Sequence, residues 1–410
     1  MDRRRYLTAL TGGTIAALAG CSGLAGRSDP SGTDGATDTR EATDTPAATE
    51  RASNATATGG TAASVPRQAG DVELPVPRSE LDRGAAEDAI PAITDPAFGT
   101  DWSEFAVELD PNERVIGVKR DGEARAYPLA ILNWHEIVND VFEPRSKARR
   151  TESDGEFDGP LLVTYCPLCG SGLTAERRVD NEETVFGVSG FLWNSDLVMY
   201  DRATDSLWSQ IMATAIRGPK TGESLSLVPS TLTAWSAWRE AHPETEVLLP
   251  PPTSGSVGNA RPRDYTRDPY AGYGESHRIG IGGEEFEGKL HPKADVIGIA
   301  HDGMARAYPF DTITNEGVIN DRVGGLPVVV TTDPGDALVA YERRVDGDVL
   351  SFEPAGADAI RADGSRWRRA TGEAVDGPHE GTQLSRANDA SPMFFFAWRD
   401  FNPETEVYGN

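Results

Sequence analysis

The residues best able to do chemistry are the pair in Cys166-Pro167-Leu168-Cys169-Gly170. Two cysteines at this spacing can cycle between dithiol and disulfide. In thioredoxin-like folds a helix starts at such a pair and lowers the first thiol's pKa; here Gly170-Ser171-Gly172 follows, which argues against that fold. The same five residues also read as a metal knuckle, in which two thiolates point at one ion and the glycine permits the tight backbone. A closed zinc site needs four ligands, and the chain has no second cysteine pair. His135 is then the best third ligand, with Asp196 or His242 as a fourth, and two thiolates with imidazole suit copper as well as zinc. A third reading is a brace, either a structural disulfide or two inert thiols.

Other residue types add to this constellation. Glu136 could orient the His135 imidazole or act as an acid/base. Asn194, Ser195 and Asp196 could line a pocket, although Asn-Ser-Asp is also ordinary turn chemistry. Ser195 lacks the Gly-x-Ser-x-Gly elbow of a hydrolase nucleophile. His242 follows a helix, where a capping role is open to it. Arg263, Asp264, Tyr265 and Tyr270 could cover the site or pack between larger units.

The elements that must position these residues are written twice. Val115-Ile116-Gly117-Val118 is matched by Val296-Ile297-Gly298-Ile299, and Asp121-Gly122 through Tyr127-Pro128 by Asp302-Gly303 through Tyr308-Pro309. Both passages end on Asn-Asp, at Asp140 and Asp321. Ala237-Trp238-Arg239 and Pro243-Glu244-Thr245-Glu246-Val247 return as Ala397-Trp398-Arg399 and Pro403-Glu404-Thr405-Glu406-Val407. Locally, each copy predicts a strand, an Asp-Gly hairpin, a returning strand and, after a proline suited to a first helical turn, a short helix or helical turn running to Asn-Asp. Buried strands such as Leu161-Leu162-Val163-Thr164-Tyr165 follow. A closing helix is capped by Ser230 or Thr231 in one copy and by Ser391 in the other.

Residues shared by both copies are read as scaffold: Tyr127/Tyr308, Trp208/Trp367 and Trp238/Trp398. Residues confined to the first copy mark where function resides. Trp134-His135-Glu136 falls opposite Asn315-Glu316-Gly317, and the cysteine pair falls opposite Asp333-Pro334-Gly335-Asp336.

The stretches Trp134-His135-Glu136-Ile137-Val138-Asn139-Asp140, Thr164-Tyr165-Cys166-Pro167-Leu168-Cys169-Gly170, Asn194-Ser195-Asp196-Leu197-Val198-Met199-Tyr200-Asp201, Ser206-Leu207-Trp208-Ser209-Gln210 and Arg263-Asp264-Tyr265 with Pro269-Tyr270-Ala271-Gly272-Tyr273 resemble a family known as domain of unknown function 3179. The resemblance covers most of residues 110–300. It implies no activity, substrate or cofactor.

The N-terminus carries Arg3-Arg4-Arg5, a short apolar run and Leu18-Ala19-Gly20-Cys21, which resembles a twin-arginine export signal with a lipobox. Cys21 is the expected lipidation site, anchoring the protein to the outer face of the cell membrane. Residues 22–75 read as a disordered Ser/Thr/Ala/Gly/Asp-rich linker with a sequon at Asn54. The net charge of -26 comes from scattered acids, the look of a salt-loving archaeal surface, and argues against nucleic acid as a partner.

The expected architecture is therefore α+β, a tandem duplication of a sheet-rich module with short helices. A first module spans 76–250, an insert 251–290, and a second, degenerate module 291–410. The expected function is transition-metal binding or thiol redox chemistry at Cys166, Cys169 and His135. A non-catalytic cell-surface binding or scaffolding protein, with a small-molecule or protein partner, is the alternative. A hydrolase using His135, Glu136 and Asp196 is a weaker third.

Overall fold

The computed structural model describes residues 72–105, 108–120, 122–142, 159–387 and 391–409. The signal segment with Cys21, the sequon at Asn54, nearly all of the 22–75 linker and Asp121 lie outside the described residues.

The chain is mostly β, and the α+β tandem of two modules is not what it builds. Among the described residues, six sheets of three to five strands make a six-blade β-propeller arrangement, with three two-stranded ribbons beside them. Among the described residues the α-helices are four, each of seven residues: α1 (Leu129–His135), α2 (Trp235–Ala241), α3 (Phe310–Glu316) and α4 (Phe395–Phe401). None of them is long and apolar enough to cross a membrane.

The passages that recur in the sequence form equivalent strands. Arg114–Arg120 pairs antiparallel with Glu123–Pro128, and Asp295–His301 with Met304–Pro309. In the second pair the turn is Asp302-Gly303, both at positive φ, as a two-residue hairpin turn requires. The differences from expectation begin after Pro128 and Pro309. Each proline is the N-cap rather than the first helical residue, and each helix stops after two turns. Asn139 and Asp140 then lie in the strand Ile137–Phe142, not at a helix end, as do Asn320 and Asp321 in Val318–Val323. The closing helices are capped by Ala234 and Phe394, upstream strand residues, instead of the serine and threonine candidates.

The Asn-Asp pair is placed in a strand because it ties three sheets together. Asp140 accepts from Arg125 Nη1 (2.7 and 2.8 Å) and from the Tyr127 hydroxyl (2.5 Å) in the preceding sheet. Asn139 clasps the following sheet: its amide donates to Phe186 O at 2.9 Å and its carbonyl accepts from Phe186 N at 2.7 Å. Asp321 receives Arg306 and Tyr308, and Asn320 clasps Phe352, in the same way. Buried polar side chains must be bonded, so this arrangement fixes the order of neighbouring sheets.

A single hydrophobic cluster crosses what would have been the boundary between modules. It joins Leu162, Cys166, Cys169, Leu173, Phe186 and Trp208 to Val296, Ala307, Met393, Phe396 and Trp398. The two halves thus share a core, and the cysteines are part of it. All six shared aromatics, Tyr127, Tyr308, Trp208, Trp367, Trp238 and Trp398, are buried.

Trp238 and Trp398 lie flat on Gly117 and Gly298. A Cβ there would come within 2.4 Å of the first ring and 2.3 Å of the second. Gly117→Ala and Gly298→Ala should each destabilise the protein by about 1–3 kcal/mol through overpacking, read as a lower melting temperature. A substitution in the exposed turn at Gly274, where a Cβ meets nothing within 4 Å and the backbone is not left-handed, controls for the glycine change itself.

Candidate functional site

The cysteine segment is the turn of a hairpin. Strand Gly159–Cys166 pairs with Ser171–Glu176, with Cys166 opposite Ser171, so Pro167 to Gly170 close the loop. The Cys169 amide donates to Cys166 O at 3.2 Å, and Gly170 takes φ +62 to return the chain. Both thiols are buried, and they are free, not joined as a disulfide. Ser171 and Gln210 lock the base of the hairpin: the Ser171 hydroxyl donates to Gln210 Oε1 at 2.8 Å, and Gln210 Nε2 donates to Ser171 O at 3.1 Å.

A second hairpin meets the first. Phe186–Trp193 and Asp196–Asp201 are joined by Asn194 and Ser195, both with positive φ (50° and 62°). That tight turn sends the Ser195 carbonyl to the sulfurs, 3.2 Å from Cys169 Sγ and 3.7 Å from Cys166 Sγ. It also places Asp196, fully buried, beside them. One ligand atom each from Cys166, Cys169 and Asp196 lie within 4.8 Å of one another. Ser209 Oγ donates to Asp196 Oδ2 at 2.6 Å, and the Ile211 amide donates to the same carboxylate at 3.2 Å. Burial pushes the Cys169 thiol well above its ordinary value, and its neighbours Cys166 and Asp196 add to that rise.

Residues 261–280 form a strap over the first copy's distinctive residues. The Trp134 indole donates to Arg267 O at 3.2 Å. The Tyr273 hydroxyl donates to Leu168 O, between the cysteines, at 3.1 Å and accepts from Gly280 N at 3.0 Å. Tyr270 hydrogen-bonds the Glu136 carboxyl and also lies close enough to Cys166 to feel its charge. From the other half of the chain, the Phe394 amide donates to Cys169 O at 2.8 Å, and its ring lies against Gly170.

His135 is fully buried but is not a member of the thiol–carboxylate group. Its Nδ1 faces Pro91 O at 2.7 Å; a carbonyl only accepts, so Nδ1 carries the proton and Nε2 accepts from the Tyr265 hydroxyl at 2.8 Å. Burial lowers its pKa, which suits this neutral form. Glu136 follows at the left-handed C-cap of α1, φ +57, its amide bonded to Leu132 O. In the second copy a glycine, Gly317, occupies that position at φ +76. Burial raises the Glu136 carboxyl to about 8.

The remaining sequence candidates are elsewhere. His242 is the C-cap of α2, with its ring on Trp238 at 4.2 Å, and burial lowers its pKa to about 4. Arg263 lies over the Trp134 ring at 5.6 Å, and exposed Asp264 accepts from the Thr266 amide and hydroxyl. Asn194 is exposed and serves the turn. Ser209, Tyr273 and Gly280 were not singled out by sequence reasoning. Only the Ser-Leu-Trp-Ser-Gln and Tyr-Ala-Gly-Tyr stretches pointed toward the first two.

The family model described as protein of unknown function (DUF3179) matches residues 87–405. No curated protein and no solved structure matches the chain.

The Glu136 carboxyl gives a pH test. Its folded value, about 8, lies above the ordinary 4.5, so between those values the native state holds a proton that the unfolded chain has released. Stability from this group is greatest below the lower value and declines as pH rises toward the upper, with a slope of at most about 1.4 kcal/mol per pH unit. Glu136→Gln should remove that slope. Denaturant unfolding of both proteins at intervals from pH 5 to 8 should show the variant gaining on the wild type as pH rises; parallel curves would refute the assignment.

Proposed function

The chain belongs to the DUF3179 family, a membership that carries no activity, and we propose its function from the site: Cys166, Cys169 and Asp196 bind a transition-metal ion in an exported, lipid-anchored protein. The observation that carries this reading is the meeting of two thiols and a carboxylate, within 4.8 Å, inside an apolar core. A fully buried carboxylate beside two ionisable sulfurs is costly without a cation, and thiolates with carboxylate are ligands for zinc and other first-row divalent ions. The bonds from Ser209 and Ile211 hold the carboxylate as outer partners do at metal sites. His135 supports the strap through Tyr265 in this reading.

Export and anchoring rest on the N-terminal sequence. The run from Arg3 to Cys21 supports a twin-arginine lipoprotein signal, with Cys21 lipidated and the folded part displayed on the outer face of the membrane, beyond a linker. The acidic composition supports a halophilic setting.

A second reading is dithiol redox chemistry, favoured by two free thiols brought to one turn. Closing the disulfide would send two electrons and two protons to an oxidant of small-molecule size. The burial that holds Cys169 protonated disfavours it as a thiolate nucleophile.

The purified chain should hold about one zinc or other divalent ion per molecule by elemental analysis. Cys166→Ser with Cys169→Ser should abolish binding while leaving the circular dichroism spectrum of the fold intact. Since binding displaces thiol protons, metal should be lost as pH falls, and the loss should be reversible on returning to neutral pH. A metal-free protein whose double variant loses only melting temperature would instead support a structural brace.

A further inference from the structure

The Ser195 carbonyl stands where a fourth ligand would. A tetrahedral zinc with Zn–S of about 2.3 Å and Zn–O of about 2.0 Å holds its sulfur and oxygen ligands about 3.5 Å apart. Ser195 O is 3.2 Å from one sulfur and 3.7 Å from the other, on either side of that edge length. Residue 196 then supplies its carboxylate from the adjoining position, so one turn delivers both oxygens.

Resting on the metal-binding reading above, we infer that the centre is a closed, four-coordinate site of two thiolates, the Asp196 carboxylate and the Ser195 main-chain carbonyl, selective for a borderline divalent ion such as zinc. In the metal-free protein the two S–H groups donate to that carbonyl. When the ion enters, both protons leave to solvent, the two sulfurs and the carbonyl oxygen turn their lone pairs to the metal, and no oxidant or reductant is involved. The donor set of two soft sulfurs and two hard oxygens suits a divalent ion better than a cuprous one.

The surroundings are built to hold that carbonyl still. Asn194 and Ser195 both occupy left-handed backbone conformations, which fix the direction of the peptide between them and Asp196. Gly280 of the strap, at φ +59, lies so close that a Cβ would come within 2.4 Å of Ser195 Oγ. Tyr273 anchors the same Gly280 amide while bonding Leu168 O in the cysteine turn, so one hydroxyl ties the strap, the sulfur hairpin and the Ser195 turn together. No coordination position is left for a water or substrate, which makes this a holding site and not a Lewis-acid site open to reactants.

The test uses the full chain loaded with cobalt(II) chloride, which reports geometry through its visible spectrum. The expected result is an intense tetrahedral spectrum with sulfur-to-cobalt charge-transfer bands that does not change on adding imidazole. Release of two protons per cobalt is expected alongside it. Ser195→Gly keeps the carbonyl, suits the positive φ and removes the hydroxyl, so its affinity should match the wild type. Gly280→Ala should weaken cobalt binding about 10-fold by displacing the Ser195 turn. A spectrum that shifts with imidazole shows an open position and overturns the closed site, as does loss of metal in Ser195→Gly, which would make the hydroxyl the ligand. Absence of any cobalt or zinc binding by the wild type overturns the metal reading itself.

Discussion

Asp196 has no exposed surface, and it sits against two sulfurs in the same apolar cluster as Phe396 and Trp398. Removing a carboxylate from water costs several kcal/mol unless hydrogen bonds or an opposite charge replace the solvent. Ser209 and the Ile211 amide replace part of it. Both thiols also turn toward the Ser195 carbonyl. A divalent ion would convert this cluster from a cost into a net attraction, because three anionic groups around one cation in a dry interior interact far more strongly than in water. Such an ion would need water kept out of this cluster.

The sheets meet this need through turns, not through strand faces. One hairpin brings the sulfurs, the next brings the oxygens, the strap lays three tyrosines across the outside, and Phe394 closes the side toward the second half. The same junction exists without chemistry at the equivalent place. There Gly335 O accepts from the Ala234 amide at 3.1 Å, as Cys169 O accepts from the Phe394 amide at 2.8 Å. The Asp333 carboxylate in that second loop bonds the Gly335 and Ala337 amides of its own turn. The second loop thus stabilises itself locally, whereas the first leaves its sulfur side chains pointing at a neighbouring turn.

Comparison of the two sequence copies located the cysteine pair, and the apolar runs located the buried strands. The class was misread because Tyr-Pro followed by a few apolar residues carries the pattern of a helix whether it runs two turns or five. The Asn-Asp that ends it looks like a helix stop, and its role in clasping neighbouring sheets depends on residues far along the chain, such as Phe186 and Phe352. His135 reads as the better third ligand because, like the cysteines, it is confined to the first copy. Nothing in the sequence signals that His135 is occupied on one side by Pro91 and on the other by Tyr265. Nor can periodicity show that the Asn194-Ser195 turn, one sheet later, ends at the sulfurs.

Glu136 is the clearest sign that the first copy keeps residues for a purpose other than folding. A side chain at φ +57 costs roughly 1 kcal/mol relative to glycine, and its carboxyl is buried as well. Gly317 shows that the same helix end forms without either cost. What Glu136 gains is a bond to Tyr270, the tyrosine that reaches toward Cys166. Together with Tyr265 on His135 and Tyr273 on Leu168, this makes the strap's attachment polar at every tyrosine. An apolar strap would seal the thiols by area alone and could slide. Hydroxyl bonds of defined direction hold it in one register over the Ser195 turn, and that register is what the inferred four-coordinate site with a main-chain ligand would need.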